Sequence, residues 1–230
     1  MQKHWPASFY QAAGDFFEGI EVLPGVKKAK CMILTQGKAI DDFQATQTLS
    51  FADVNLQCCN YPNVFARDKL DIGTRFLLQH LPDLSACKTI VDLACGNGLL
   101  GIQALKNHPH LHCLFIDESN FAIQSAAASL PLNNIDENRY TLAQADVFNN
   151  LDYEQVDAIL CNPPFHQQHN VSIDIAEQMI REGAKRLKKG GKMHIIANSH
   201  LPYKPLLQRV FNSVTITDKN AKFLLYTAVK

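Results

Sequence analysis

Val91-Asp92-Leu93-Ala94-Cys95-Gly96-Asn97-Gly98-Leu99-Leu100-Gly101 carries an apolar run straight into a helical period through a G-x-G-x-x-G turn. Glycine suits these positions because the turn demands unusual φ/ψ and lets backbone N–H groups approach a ligand with no Cβ in the way. A tight strand-to-helix turn by itself uses the same glycines, so the motif takes its meaning from what surrounds it.

From Thr89 onward, apolar runs of five to seven residues alternate with helical periods. That is the pattern of repeated βα units on a parallel sheet buried on both faces. Strands are predicted at Thr89–Leu93, His112–Ile116, Tyr140–Ala143, Val156–Leu160, Lys192–Ala197, Ser213–Thr217 and Phe223–Val229, with helices near 99–107, 119–130, 172–189 and 203–211. The clearest helix sets Val171, Ile175, Met179, Ile180, Ala184 and Leu187 on one face and is predicted to stop at Lys188-Lys189-Gly190-Gly191. Asp218 to Lys222 are too few residues for a parallel crossover, so the last two strands should form an antiparallel hairpin. The expectation is an α/β fold: a mostly parallel seven-stranded sheet ending in an antiparallel hairpin, with helices on both faces. Residues 1–60 read differently, with a helix near 7–18, a strand ending at Leu23, another at Cys31–Thr35 and a pair near 46–57. A segment of this size cannot close a core alone.

Composition narrows the class. The 230 residues are 47% hydrophobic and 19% charged, which excludes a disordered or fibrous chain. Lys+Arg 22 against Asp+Glu 22 leaves no net charge, so contact with nucleic acid would come from a local patch and not a global field. Seven cysteines, an odd number without a C-x-x-C pair, read as reduced residues in the cytoplasm. No signal-peptide pattern and no run of 18 apolar residues is present, so neither export nor a membrane is expected.

The chemistry gathers around the strand ends. Asp117 closes the second predicted strand 21 residues after Gly96, where a carboxylate accepts from ribose hydroxyls. On the glycines alone NAD and S-adenosylmethionine both stay open. Asp92 favours the methyl donor, because a carboxylate there would repel a pyrophosphate but hold a cationic amino acid moiety. Asn162-Pro163-Pro164-Phe165 follows the strand Val156–Leu160 as a rigid bracket, since each proline fixes its own φ and biases the residue before it. The Asn162 amide oxygen and a proline carbonyl can accept from an exocyclic amine, with Phe165 stacked on the attached ring. Asp146, after the strand Tyr140–Ala143, is placed to accept from an adenine amino group.

These residues resemble the class I S-adenosylmethionine-dependent methyltransferases that act on exocyclic amines. More narrowly, Asn63 to Thr74, Val91 to Gly101 and Asn162 to Phe165 with His166-Gln167-Gln168-His169 are similar to the ribosomal RNA guanine-N2 methyltransferases, and Cys161 to His169 is most like the large-subunit members. The resemblance implies a Rossmann-like class I methyltransferase fold and transfer of methyl from S-adenosyl-L-methionine, leaving S-adenosyl-L-homocysteine, to guanine N2 in 23S rRNA. It implies catalytic roles for Asn162, Pro163, Pro164 and Phe165. Cofactor contacts follow at Asp71, Thr74, Asp92, Ala94, Cys95, Gly96, Gly98, Asp117, Asp146, Val147 and Asn162, with Ala94 standing where many relatives have glycine. The family has two tandem methyltransferase-like halves. Residues 1–60 therefore read as the remnant of an N-terminal half plus linker, 61–230 as the catalytic domain, and the chain as a C-terminal fragment, expected to be monomeric. The alternatives are a 16S rRNA enzyme, a non-catalytic RNA-binding or assembly module, and methylation of DNA adenine or protein glutamine by the same bracket.

Other features have plainer readings. His166 and His169 have no Cys or Asp at ligand spacing, so no metal is expected. Arg181, Lys185, Arg186, Lys188, Lys189 and Lys192 are either phosphate contacts or a solvated helix end whose cations suit the dipole, and Lys27, Lys28 and Lys30 carry the same pair of readings.

Overall fold

The computed structural model describes residues 6–25, 30–38, 46–164 and 169–230. The chain divides into two units, Met1–Gln44 and Ala45–Lys230. In the first, helix α1 (Ala7–Phe16) runs into strand β1 (Phe17–Val22), which pairs antiparallel with β2 (Met32–Gly37). Among its described residues Ala13 is the one buried hydrophobic, while Phe9, Phe16, Ile20 and Ile33 stay exposed. So small an element set forms no core of its own, as its length predicts.

The second unit opens with the antiparallel pair β3 (Gln47–Phe51) and β4 (Leu56–Asn60), then α2 (Ile72–Gln79), β5 (Thr89–Leu93), α3 (Leu99–Asn107) and β6 (His112–Asp117). It continues through α4 (Asn120–Leu132), β7 (Tyr140–Gln144), β8 (Val156–Cys161), α5 (His169–Arg186), β9 (Leu187–Asn198) and α6 (Tyr203–Gln208). The closing strands are β10 (Ser213–Lys219) and β11 (Phe223–Val229). The seven-stranded sheet runs β10-β11-β9-β8-β5-β6-β7, parallel from β9 to β7, with β11 antiparallel to both neighbours.

Burial on both faces explains the apolar runs. Ile90, Cys113, Phe115, Ala158 and Leu160 join one core with α2, α3 and α4, whereas Val91, Leu93, Leu114, Ile116, Ile159 and Cys161 join the other with α5 and α6. Successive side chains of one strand thus feed opposite layers.

Three expectations change. The pair near 46–57 was grouped with the N-terminal sixty residues, yet it belongs to the sheet-bearing unit. The edge of β4 is satisfied by helix side chains: Cys59 N donates to Ser129 Oγ at 2.9 Å, Tyr61 N to Ser125 Oγ at 2.9 Å and Gln57 N to Asn133 Oδ1 at 3.1 Å. Ser125 and Ser129 of α4 and Asn133, which caps its carboxyl end, recur every four residues. The helix expected over 172–189 ends at Arg186, because Lys188 Nζ reaches Asp157 Oδ1 at 2.6 Å and Gly190 N donates to Lys230 O at 2.9 Å, drawing the basic stretch into β9. Helix α2, not predicted, starts at Asp71, whose side chain caps Thr74 N at 2.8 Å.

Candidate active site

Chain order reverses at β5: β6 lies on one side and β8 on the other, so the loops leaving their carboxyl ends part and leave a crevice. A cavity of about 370 Å³ occupies it, walled by the loop after β5, the ends of β6 and β8, the loop after β7, the first turn of α2 and the segment before it. Its volume suits a ligand of nucleoside size.

The glycine loop is built by backbone conformation. Gly96 and Gly98 have φ of +55° and +82°, and Gly98 N donates to Cys95 O at 2.8 Å. A Cβ at Gly96 would meet nothing within 4 Å, so the bare backbone borders open cavity space. Gly98 is not a wall residue: a Cβ there would lie 3.1 Å from Ala126 Cβ and 3.3 Å from Phe115, so it lets α3 start against its neighbours. Ala94 lines the cavity at φ +57°, a left-handed value, which is the physical reason a glycine would also suit that position.

Asp92 departs from its expected role. It sits on the β5 face that packs under α3, fully buried, and its Oδ2 accepts from Gly101 N at 2.8 Å; it does not border the cavity. Burial pushes its carboxyl up to about 7, against the opposing pull of the Gly101 N–H. Asp92 Oδ2 therefore anchors the start of α3, while its Oδ1 is buried without a partner among the described residues.

Asp117 holds the expected place. Its Oδ2 accepts from Gly96 N at 2.9 Å and its Oδ1 from Ser119 N at 2.9 Å, leaving a further acceptor position on each oxygen for a diol. Burial raises its pKa above the usual carboxylate value while the two N–H bonds oppose that shift. Asp146 and buried Val147 also line the cavity. Asp146 is exposed, with Asn149 Nδ2 at 3.1 Å and Gln178 Nε2 at 3.5 Å. Cys95 lines the cavity, and burial pushes its thiol well above its ordinary value, so it carries no nucleophilic thiolate.

Asn162, Pro163 and Pro164 form the opposite wall. Asn162 Nδ2 donates to Thr74 Oγ1 at 2.9 Å and to Asp71 Oδ2 at 3.2 Å, leaving Oδ1 buried without a partner. Asp71 and Thr74, expected as cofactor contacts, border the cavity with these atoms turned to Asn162. Phe165 and His166 to Gln168 lie outside the described residues, as do Lys27 and Lys28.

Two residues that matter were missed. Asn97 borders the cavity and donates through Nδ2 to buried Asn60. Asn60 could have been suspected as the one amide closing the short strand Leu56–Asn60, although nothing in spacing announces its partners. Of the basic run, Arg186 is spent on the Tyr153 and Leu151 carbonyls, Lys185 on Glu182 and Lys188 on Asp157. That favours a structural role for these three. Among the described residues, no group of three His, Cys, Asp or Glu is placed to hold a metal, and no helix is long and apolar enough to cross a membrane.

The donors and acceptors present fit S-adenosylmethionine: an open glycine turn, a carboxylate with spare acceptor positions and an apolar wall including Leu100, Ile175 and Met179. A model of the methyltransferase small domain matches residues 55–227, and the chain belongs to that family. Within it, the chain is similar to ribosomal RNA large subunit methyltransferase G of Pseudoalteromonas translucida (strain TAC 125), 39% identical over 210 residues that cover 89% of this chain and 54% of that protein. The same-named protein of Colwellia psychrerythraea (strain 34H / ATCC BAA-681) is 43% identical over 178 residues, covering 76% of this chain and 45% of its own length. The chain thus spans about half the length of the curated relatives it matches. In fold it is similar to the T. thermophilus 16S rRNA N2 methyltransferase RsmC, solved with AdoMet and guanosine, with TM-score 0.82 and 21% identity over 97% of this chain and 61% of that one.

Proposed function

We propose that this chain transfers a methyl group from S-adenosylmethionine to the exocyclic N2 of a guanine in ribosomal RNA, and that the RNA is the 23S molecule. The observation that carries it is the pairing, in one cavity, of the glycine loop and Asp117 with Asn162, whose oxygen is a buried acceptor lacking a partner. The likeness to large subunit methyltransferase G over most of the chain supports the 23S choice.

Bound S-adenosylmethionine would supply an electrophilic methyl on a sulfonium. Gly96 and the turn around it, Asp117, Asp146 and Val147 line the cavity and would hold the cofactor, Asp117 accepting from its ribose and Asp146 with Val147 beside its adenine. The guanine amine is a weak nucleophile because its lone pair is delocalised. Asn162 Oδ1 and the Pro163 carbonyl would accept from it, hold the lone pair in line, and strengthen their bonds as the nitrogen becomes positive; the methyl–sulfur bond would break with its electron pair kept by the thioether, and the nitrogen would then release one proton to solvent. The base reaches them unstacked from its RNA, with Phe165 as stacking partner. Seven free cysteines fit a cytoplasmic setting.

The test is to incubate the chain with radiolabelled S-adenosylmethionine and unmodified 23S or 16S rRNA, then digest and identify labelled nucleosides. N2-methylguanosine from 23S rRNA is expected. Label confined to 16S rRNA would reassign the substrate, and retention of RNA and cofactor without label would make the chain a binding module.

A further inference from the structure

The Asn162 amide is held from the first turn of a helix distant in sequence. Thr74 Oγ1 lies 2.9 Å from Asn162 Nδ2, and Asp71 Oδ2 lies 3.2 Å from it. The same Asp71 oxygen caps the helix by accepting from Thr74 N at 2.8 Å, so the two acceptors hold each other as well as the amide. An ionised carboxylate only accepts, and turning the amide over would set Asn162 Oδ1 against it. A threonine hydroxyl serves either orientation. Asp71 therefore chooses the amide's polarity and Thr74 its position.

The surroundings leave this arrangement little freedom. A Cβ on Gly73 would stand 3.0 Å from Asp71 Oδ2, 3.4 Å from Asn162 Oδ1 and 3.5 Å from the Phe223 ring. The result is an amide whose donors are committed and whose oxygen remains an unpartnered acceptor. Leaving such an atom unsatisfied is costly, and a group that arrives to donate to it recovers that cost.

We infer that Asp71 and Thr74 are positioning residues, locking Asn162 so that its oxygen alone meets the incoming exocyclic amine. This rests on Asn162 being the amine's acceptor, as proposed above. In this role they act through Asn162 and not on the cofactor.

The experiment compares T74V, which keeps the side-chain shape and removes the hydroxyl, with T74S, which restores it. For methyl transfer to 23S rRNA, kcat should fall about tenfold in T74V and return to within about threefold in T74S. The Kd for S-adenosylhomocysteine should move less than about threefold in both. The double variant T74V/N162A should match N162A, because a missing amide cannot be positioned. Cofactor affinity falling in step with kcat, or additive losses in the double variant, would overturn the proposal. Wild-type transfer by N162A would instead overturn the acceptor role on which it rests. A measurement independent of turnover is hydrogen exchange of the Asn162 side-chain amide, followed by NMR in the ligand-free chain. Exchange should be slowed relative to an exposed asparagine and about tenfold faster in T74V. Solvent-like exchange in the wild-type chain would remove the clamp whatever the RNA assay shows.

Discussion

Asn97 Nδ2 donates to Asn60 Oδ1 across 3.0 Å, and Asn60, fully buried, passes its own Nδ2 to the Arg67 carbonyl at 2.7 Å. One amide thereby ties the glycine turn, the end of β4 and the segment that borders the cavity before α2. Both ends of the amide are used, so no smaller residue can replace it.

Asn60→Ala should cost about 1–3 kcal/mol, the penalty of leaving the partly buried Arg67 carbonyl and Asn97 amide poorly paired. It should also weaken S-adenosylhomocysteine binding, since two walls of the cavity lose their tie. Urea unfolding and titration calorimetry measure the two effects, and an Ala variant indistinguishable from wild type in both would show that the bridge is incidental.

Asp117→Ala should weaken S-adenosylhomocysteine by about 1.5–3 kcal/mol, the range for hydrogen bonds to a charged group. Asn162→Ala should leave that affinity nearly intact while lowering transfer by about a hundredfold or more, because its acceptor matters as the amine becomes positive. Calorimetry beside single-turnover assays separates the two, and equal losses of both properties in Asn162→Ala would count against its assignment to the amine.

Ala94 sits at φ +57° in the cavity wall. Ala94→Gly relieves that conformation but gives the unfolded chain more freedom, so stability should stay within about 1 kcal/mol of wild type. Ala94→Val, branched at Cβ, should lose roughly 2 kcal/mol or more at the same φ. Thermal unfolding of the pair is the check, and a neutral Val variant would mean that the loop adopts another path.

Asp92 titrates against the stability of the fold. Burial raises its folded pKa from 3.8 to about 7, so the folded chain binds the proton more tightly than the unfolded one. The stability this supplies is complete below about pH 4 and is lost as pH rises through 7. Asp92→Asn does not titrate there, so its unfolding free energy relative to wild type should improve between pH 5 and pH 8. Denaturation curves at the two pH values give the sign, and a difference that does not change with pH would place the titration elsewhere.

Much of the sheet was legible because its signal is local. Thr89–Leu93 and Phe223–Val229 match the residues expected from the sequence, since a strand buried on both faces is mostly apolar and its ends are marked by a change in that pattern. The positions of Asp117 and Asn162 were legible for a related reason: Asp117 closes β6 and Asn162 follows β8, and strand ends are where open α/β sheets present side chains. Sequence spacing sets Asp92 at the mouth of the crevice, whereas strand alternation turns its Oδ2 under α3.

The sequence by itself determined the βα repeat, the glycine turn, the closing hairpin and the carboxylate and amide types available for chemistry, because each depends on neighbours a few residues away. Only the tertiary structure decided that β11 inserts between β9 and β10, that Ser125, Ser129 and Asn133 complete the edge of β4, and that Asp71 and Thr74 orient an amide about ninety residues further along. Those outcomes come from hydrogen-bonding groups that must find partners once buried, and the partners are selected by proximity in the folded chain, which linear spacing does not encode.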